Sequence, residues 1–560
     1  MMTSRFLWPD QRVISRLARL GIAFLAMVAV RPGCLAGSAA FRDRTDEIRV
    51  VDVAKIKRPG ATVTGVELLP AGSFSSPAGS EIFPGLPAFC RAWATLQSAQ
   101  DSNITIEVWM PREKWNGRFL GTGNGGGGGK IVYAALAAGL KFGYAVANTD
   151  LGTSPNPEAV IDHPDRWRDF GGRATHEMTL MAKAMVQAYY NKPPHHSYFV
   201  GSSTGGQQAL AEAQLHPDDY DGIIAGTPGN NRTHLHVMFV WNWQALHESP
   251  GSAFTPEQAT LVTNAVVKAR AGKDGGAPAD DFLTDPRMSR FNPETLLKPA
   301  KGGVAGGAYL TREQVRALQK IYAGPVNPRT GERIYTPPPM GSERTMGLVV
   351  PEDPRSAPPH SYLFRWVFGS GYDCARFDFD RDLDRLDEGL APLLNANNPD
   401  LSALRARGGK ILMYSGTADP VTPFQDAVNY YERVIEAQGG LATTQDFFRY
   451  FIVPGLAHGS GGPGLNDFGQ KLSLHVPLDA GHHALMALVK WVEEGVPPNE
   501  IIATAFIQGD PAKGIRFQRP IYPYPQFPHY REGDVNAPSS YRAVVHPRGQ
   551  VLVPAERYLK

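Results

Sequence analysis

Ser203 stands at the centre of Gly201-Ser202-Ser203-Thr204-Gly205, a G-x-S-x-G pentapeptide that follows the apolar run Tyr198-Phe-Val and precedes a helix-competent stretch. In a strand-turn-helix of this kind the serine occupies a strained turn. Glycines flank it where a side chain would clash, and the helix N-terminus faces any negative charge that develops. A serine hydroxyl is a weak nucleophile until a base takes its proton, so the pattern calls for a histidine oriented by a carboxylate. In chain order Ser, acid, His, the candidates are Asp419 and His458. Asp419 lies in Ser415-Gly-Thr-Ala-Asp-Pro, after the run Ile411 to Tyr414; His458 lies in Val453-Pro-Gly-Leu-Ala-His-Gly, after the next apolar run. The chemistry would be acyl transfer through Ser203. Asp419 taken alone also suits an Asp-Pro turn, and His458 a plain loop position; their joint placement favours the triad. His482 and His483 are rivals that begin an amphipathic helix and lack a preceding strand, and Ser202 is read as a packing residue.

The run Gly121-Thr-Gly-Asn-Gly125-Gly-Gly-Gly-Gly129 also follows an apolar strand. It contains G-x-G-x-x-G at Gly121, Gly123 and Gly126. A dinucleotide site would need an acidic ribose ligand about 20 residues on, and Asp150 falls late for that role. An oxyanion hole fits better: one backbone N–H from Gly125 or Gly126 and one from Thr204, the residue after the candidate nucleophile.

These residues must be carried by strand ends. The runs beginning at Arg118, Tyr144, Ser197, Gly222, Lys410 and Phe447 are short, apolar and bounded by Gly or polar residues. Between them lie helical patterns at Met178 to Tyr190, Gln207 to Leu215 and His483 to Glu494. That alternation predicts an α/β fold with a mostly parallel sheet, preceded by short strands from about residue 60 to 120. From Gly226 to about Leu404 the rhythm breaks into Trp-, Gly- and Pro-rich sequence with helical pieces at Pro256 to Ala271 and Thr311 to Tyr322. So long a structureless loop is implausible. The expected organisation is a signal peptide at 1–40, the fold's first part at 41–226, an inserted lid domain at 227–404, and the second part at 405–560.

The 560 residues are 42% hydrophobic and 20% charged, ordinary for a globular chain. Arg5, Arg12, Arg16 and Arg19 precede the apolar run Leu20 to Val30, and small residues follow from Gly37 to Ala40. That is a secretory leader pattern, and the run is far short of the roughly 20 residues a membrane span needs. A secreted or periplasmic chain is expected, with no span in its mature form. Loss of residues 1–40 removes five arginines and one aspartate, turning the formal charge of +2 into −2, so no basic footprint for nucleic acid remains. Cys90 and Cys374 would then be the remaining cysteines, either paired or free.

Assembled, these motifs resemble the tannase and feruloyl esterase family, which includes enzymes cleaving mono-hydroxyethyl terephthalate. The likeness runs through Phe89-Cys-Arg, Trp115-Asn-Gly-Arg-Phe-Leu-Gly-Thr-Gly-Asn-Gly-Gly, Gly143-Tyr-Ala-Val-Ala-Asn-Thr-Asp, Arg173-Ala-Thr-His-Glu, the elbow, Ala418-Asp-Pro and Arg519-Pro-Ile-Tyr-Pro-Tyr-Pro. The resemblance implies an α/β-hydrolase fold with an inserted lid, the Ser203, Asp419, His458 triad, and a small ester of an aromatic acid as substrate. Arg365, as a partner for a substrate carboxylate, and Trp366 are the candidate substrate contacts; Trp366, with Trp241, Trp243 and Tyr362, suits a lid core at least as well, and Arg365 suits a solvent-facing position. Family members carry a disulfide linking the residue before the nucleophile to the one after the catalytic histidine; here those positions are Ser202 and Gly459. The family's calcium run is also incomplete. Asp274 and Asp281 are the candidate ligands, with Asp280 and Asp285 nearby, in a chain otherwise expected to need no cofactor. Alternatives to hydrolysis are a binding protein that has lost turnover on this fold and an acyltransferase.

Overall fold

The computed structural model describes residues 44–298, 309–351, 353, 356–547 and 552–560. The leader assigned to residues 1–40 lies outside them. Nine strands form the central sheet: β1 (Ala61–Leu69), β2 (Phe89–Leu96), β3 (Ile104–Pro111), β4 (Arg118–Thr122), β5 (Ala145–Thr149), β6 (His196–Ser202), β7 (Gly222–Gly226), β8 (Lys410–Gly416) and β9 (Phe448–Val453). Their spatial order is β1-β2-β3-β5-β4-β6-β7-β8-β9. Pairing is antiparallel from β1 to β5 and parallel from there to β9.

Successive strand residues point to opposite faces, and here both faces are covered, which explains why the strands read as unbroken apolar runs. Phe119, Ala145, Phe199, Ile223 and Ile411 pack beneath α2 (Ala174–Tyr190), α3 (Thr204–Leu215) and α9 (Phe424–Ala437). Their neighbours Leu120, Val146, Tyr198, Ile224 and Leu412 pack against α1 (Tyr133–Lys141) and α10 (Ala484–Glu494). The sheet is therefore pinned from both sides, and the loops at the carboxyl ends of β4, β6, β8 and β9 converge along one edge.

β7 and β8 are adjacent and parallel, Lys410 opposite Gly222, so everything between Gly226 and Lys410 is inserted between neighbouring strands. The insertion carries α4 (Arg232–His247), α5 (Pro256–Arg270), α6 (Arg312–Ala323), α7 (Tyr362–Phe368) and α8 (Arg381–Leu394). Thr255 with Gln258, and Thr311 with Gln314, each close a capping box that fixes where α5 and α6 begin. Leu246, Phe254, Val262, Val266, Leu318 and Ile321 form a separate hydrophobic cluster there. Cys90 and Cys374 are both buried, Cys374 as a free thiol.

Candidate active site

Ser203 joins β6 to α3 with φ 65° and ψ −119°, a left-handed conformation that costs a non-glycine residue on the order of 1–3 kcal/mol. The turn is held by surrounding backbone: Ser203 N–H donates to the Gly226 carbonyl at 3.0 Å, and the Ser203 carbonyl accepts from Gln207 N–H at 3.1 Å. The elbow and the glycine-rich loop touch through backbone. A Cβ on Gly123 would come within 2.5 Å of the Gly205 α-carbon, and one on Gly201 within 2.2 Å of the Gly205 carbonyl oxygen, so Gly123 and Gly201 tolerate only glycine. The run at Gly121 thus serves close packing against the elbow. Asp150, the weak ribose candidate, is buried and accepts from Thr105 N–H and Gly152 N–H at 3.0 and 2.8 Å, a structural staple.

Asp419 is fully buried after β8. One of its oxygens accepts from the Val421 and Thr422 amides at 2.8 and 3.1 Å; the other takes the Thr422 hydroxyl at 2.7 Å and faces His458 Nδ1 at 2.9 Å. The loop after β9 thereby presents His458 with one ring nitrogen against a carboxylate. His458 and Ser203 line the same cavity, of about 540 Å³, with Gly125 and Gly126 on its wall. Thr204 opens α3, so its N–H is among those without an intrahelical acceptor. Its hydroxyl donates to the Gly126 carbonyl at 2.6 Å, tying the two candidate oxyanion elements together.

His482 and His483 do not join this group. His482 pairs with Asp479 at 2.9 Å, while His483 is buried, caps α10 by accepting from Leu485 N–H, and contacts the Ser473 carbonyl. Arg365 and Trp366 are corrected as substrate contacts. Arg365 is consumed by an ion pair with Glu158 and a bond to Ser361; Trp366 is 2% exposed, donates to the Pro157 carbonyl, and stacks on Trp167. Trp243 and Tyr362 are likewise buried.

The acidic stretch of the insertion does not fit a calcium cage, which needs six to eight free oxygens. Asp274 accepts from the Gly276, Thr284 and Asp285 amides; Asp280 forms a two-pronged pair with Arg519 at 2.7 and 2.8 Å; Asp285 pairs with Arg287; Asp281 pairs with Arg516. Arginines and backbone N–H groups occupy the carboxylates a cation would require.

Residues the sequence reading missed complete the cavity: His360 and Val421, the apolar face Val132, Ala134, Ala135 and Ala138, and the run Gln470-Lys471-Leu472. Burial and the nearby Arg232 guanidinium hold the His360 imidazole below its usual pKa. Behind the wall, buried Arg232 donates to the Gly126 carbonyl at 2.8 Å, the Thr204 hydroxyl at 2.9 Å and the Tyr362 hydroxyl at 2.6 Å. The one available signal was the asparagine-rich Gly229-Asn-Asn-Arg232 turn at the start of the insertion.

A sheet of this order, with the serine elbow after β6 and the histidine loop after β9, defines an α/β-hydrolase fold. The chain belongs to the tannase and feruloyl esterase family, whose model matches residues 90–356 and 368–544, and it is a carboxylic ester hydrolase. It is 35% identical to an uncharacterized esterase of Xanthomonas campestris pv. campestris, over 90% of this chain and 92% of the relative. It is 30% identical to feruloyl esterase C of Talaromyces stipitatus, over 87% and 91%. The crystal structure of feruloyl esterase B from Aspergillus oryzae superposes with a TM-score of 0.81 at 27% identity, covering 89% of this chain and all of that one.

Proposed function

We propose that the chain hydrolyses esters of aromatic acids of the hydroxycinnamic, gallic or terephthalic type through a Ser203, His458, Asp419 triad. The observation that carries this reading is the 2.9 Å contact of His458 Nδ1 with buried Asp419 beside a largely apolar cavity that Ser203 also lines. Ser203 Oγ attacks the ester carbonyl while His458 Nε2 accepts its proton, and Asp419 stabilises the imidazolium. The N–H groups of Thr204 and of Gly125 or Gly126 hold the oxyanion, each donor being worth about 3 kcal/mol of barrier. Collapse expels the alcohol, which takes the proton from His458. Water, deprotonated by the same imidazole, then attacks the acyl-enzyme and releases the acid.

The insertion acts as a lid, a reading supported by His360, which it contributes to the cavity wall. Calcium has no part in this scheme. Export to the periplasm or medium belongs to the proposal and rests on the arginine-then-apolar pattern of residues 5–30; among the described residues no helix is long and apolar enough to cross a membrane. The test is acid release from a panel of feruloyl, galloyl and terephthaloyl esters. Turnover with the native chain and its loss in Ser203→Ala, with unchanged circular dichroism, is expected. Folded native protein inert on every ester would favour the binding-protein alternative, and transfer to added alcohol outpacing acid release the acyltransferase.

A further inference from the structure

Of the residues lining the cavity around Ser203, Lys471 alone bears a fixed charge, and none is a carboxylate. Its side chain is open to the cleft. The ammonium lies against Gly459, the residue after His458: a Cβ there would come within 3.1 Å of Nζ. Its hydrogen bond is to the Ser460 hydroxyl at 3.2 Å, and no ion pair satisfies it among the described residues. Val132, Ala134, Ala135 and Ala138 line the same cavity, and Leu472 follows the lysine in the chain.

The other cations near the cavity are spent. Arg365 is held by Glu158, and Arg232 is buried behind the wall with its terminal nitrogens on Gly126, Thr204, Gln207 and Tyr362. Packing around Lys471 pulls its pKa down, against the opposing pull of Asp419. A cation partly stripped of water beside apolar surface gains most from an anion that completes its coordination.

We propose that Lys471 binds a second, free carboxylate on the substrate, so that the preferred esters are those carrying an anionic group within reach of the scissile carbonyl. The inference rests on the proposed Ser203 chemistry and deepens it. A neutral ester seated over the ammonium displaces its water without replacing it, and an anionic one supplies the missing partner. A charge-assisted hydrogen bond of 1.5–3 kcal/mol corresponds to a preference of about tenfold to a hundredfold.

Two matched pairs test this and tell which side of the ester bears the anion: monomethyl against dimethyl terephthalate for the acyl side, and caffeoylquinate against methyl caffeate for the alcohol side. The readout is the ratio of kcat/KM, charged over neutral. In at least one pair the native ratio should fall about tenfold or more in Lys471→Met, mainly through KM, and Lys471→Arg should restore most of it. The native preference should also shrink between low and high salt. A ratio unchanged by Lys471→Met, with both esters slowed alike, would overturn the proposal and leave Lys471 a brace for the Gly459 loop. A native enzyme that discriminates against the charged member of both pairs would also overturn it. Failure of the native enzyme on all four esters would instead strike the hydrolysis reading itself.

Discussion

Arg232 is 3% exposed, and no carboxylate pairs with it among the described residues. A buried cation in that state is costly unless neighbouring acceptors are well placed. Its acceptors are the Gly126 carbonyl and the Thr204 hydroxyl, one from each half of the proposed oxyanion hole. Arg232 is thus a positioning residue that fixes the spacing of the two donors. Since a misplacement of about 1 Å can cost a hundredfold, Arg232→Met should lower kcat by about tenfold to a hundredfold on charged and neutral esters alike. KM should change little, and Arg232→Lys should recover part of the loss. Steady-state kinetics beside a melting curve decide; a loss confined to KM would contradict this role. Ser203, Asp419 and His458 are readable in the sequence because local geometry constrains the residues around each of them. Lys471, His360 and Arg232 are not, because loops distant in sequence bring them to the cavity. Arg365 and Trp366 misled because an aromatic-rich insertion signals its own core as strongly as a binding wall.

At the scale of elements, the parallel strands announced themselves through continuous apolar runs, and α5 and α6 through the helical patterns at Pro256 to Ala271 and Thr311 to Tyr322. The sequence gives weaker notice of what secures the histidine loop to the elbow. Ser202 Oγ stands where a Cβ on Gly459 would collide with it, which puts the two residues within reach of a disulfide. Noncovalent ties serve instead. The Ser202 and Thr227 hydroxyls share a 2.9 Å bond, Gln470 Nε2 donates to the Gly459 carbonyl at 3.3 Å, and Lys471 reaches Ser460. Gly459 has φ +68°, so a cysteine there carries strain of roughly 1–2 kcal/mol. Ser202→Cys with Gly459→Cys should therefore form the bridge yet stabilise the fold by less than the ~5.5 kcal/mol that closing so long a loop offers. Thiol titration and calorimetry under oxidising and reducing conditions check this; two free thiols after oxidation would contradict the placement.

For the molecule as a whole, the buried acids beneath the site set how stability responds to pH. Burial pushes Asp426, at the start of α9, up to about 7 despite the Tyr335 hydroxyl. The folded state then keeps a proton that the unfolded chain releases near pH 4. The contribution of Asp426 to stability falls as pH rises from about 4 to 7, by up to ~1.4 kcal/mol per unit. Buried Glu212 is shifted in the same direction. Asp426→Asn should flatten that slope, so the variant's melting temperature gains on the native one between pH 5 and 7.5; parallel curves would contradict it. Activity and stability should also withstand chelators, since Arg519 and Arg287 already neutralise Asp280 and Asp285; inactivation by a chelator, reversed by calcium, would refute this. The central claim is that one serine is acylated with the help of one histidine. It is tested most directly by mass spectrometry of the protein after reaction with an aryl phosphonate ester. The account predicts a single adduct on the peptide bearing Ser203, formed in step with loss of activity and slowed by orders of magnitude in His458→Ala; full inactivation with Ser203 unmodified, or labelling indifferent to His458, would contradict it.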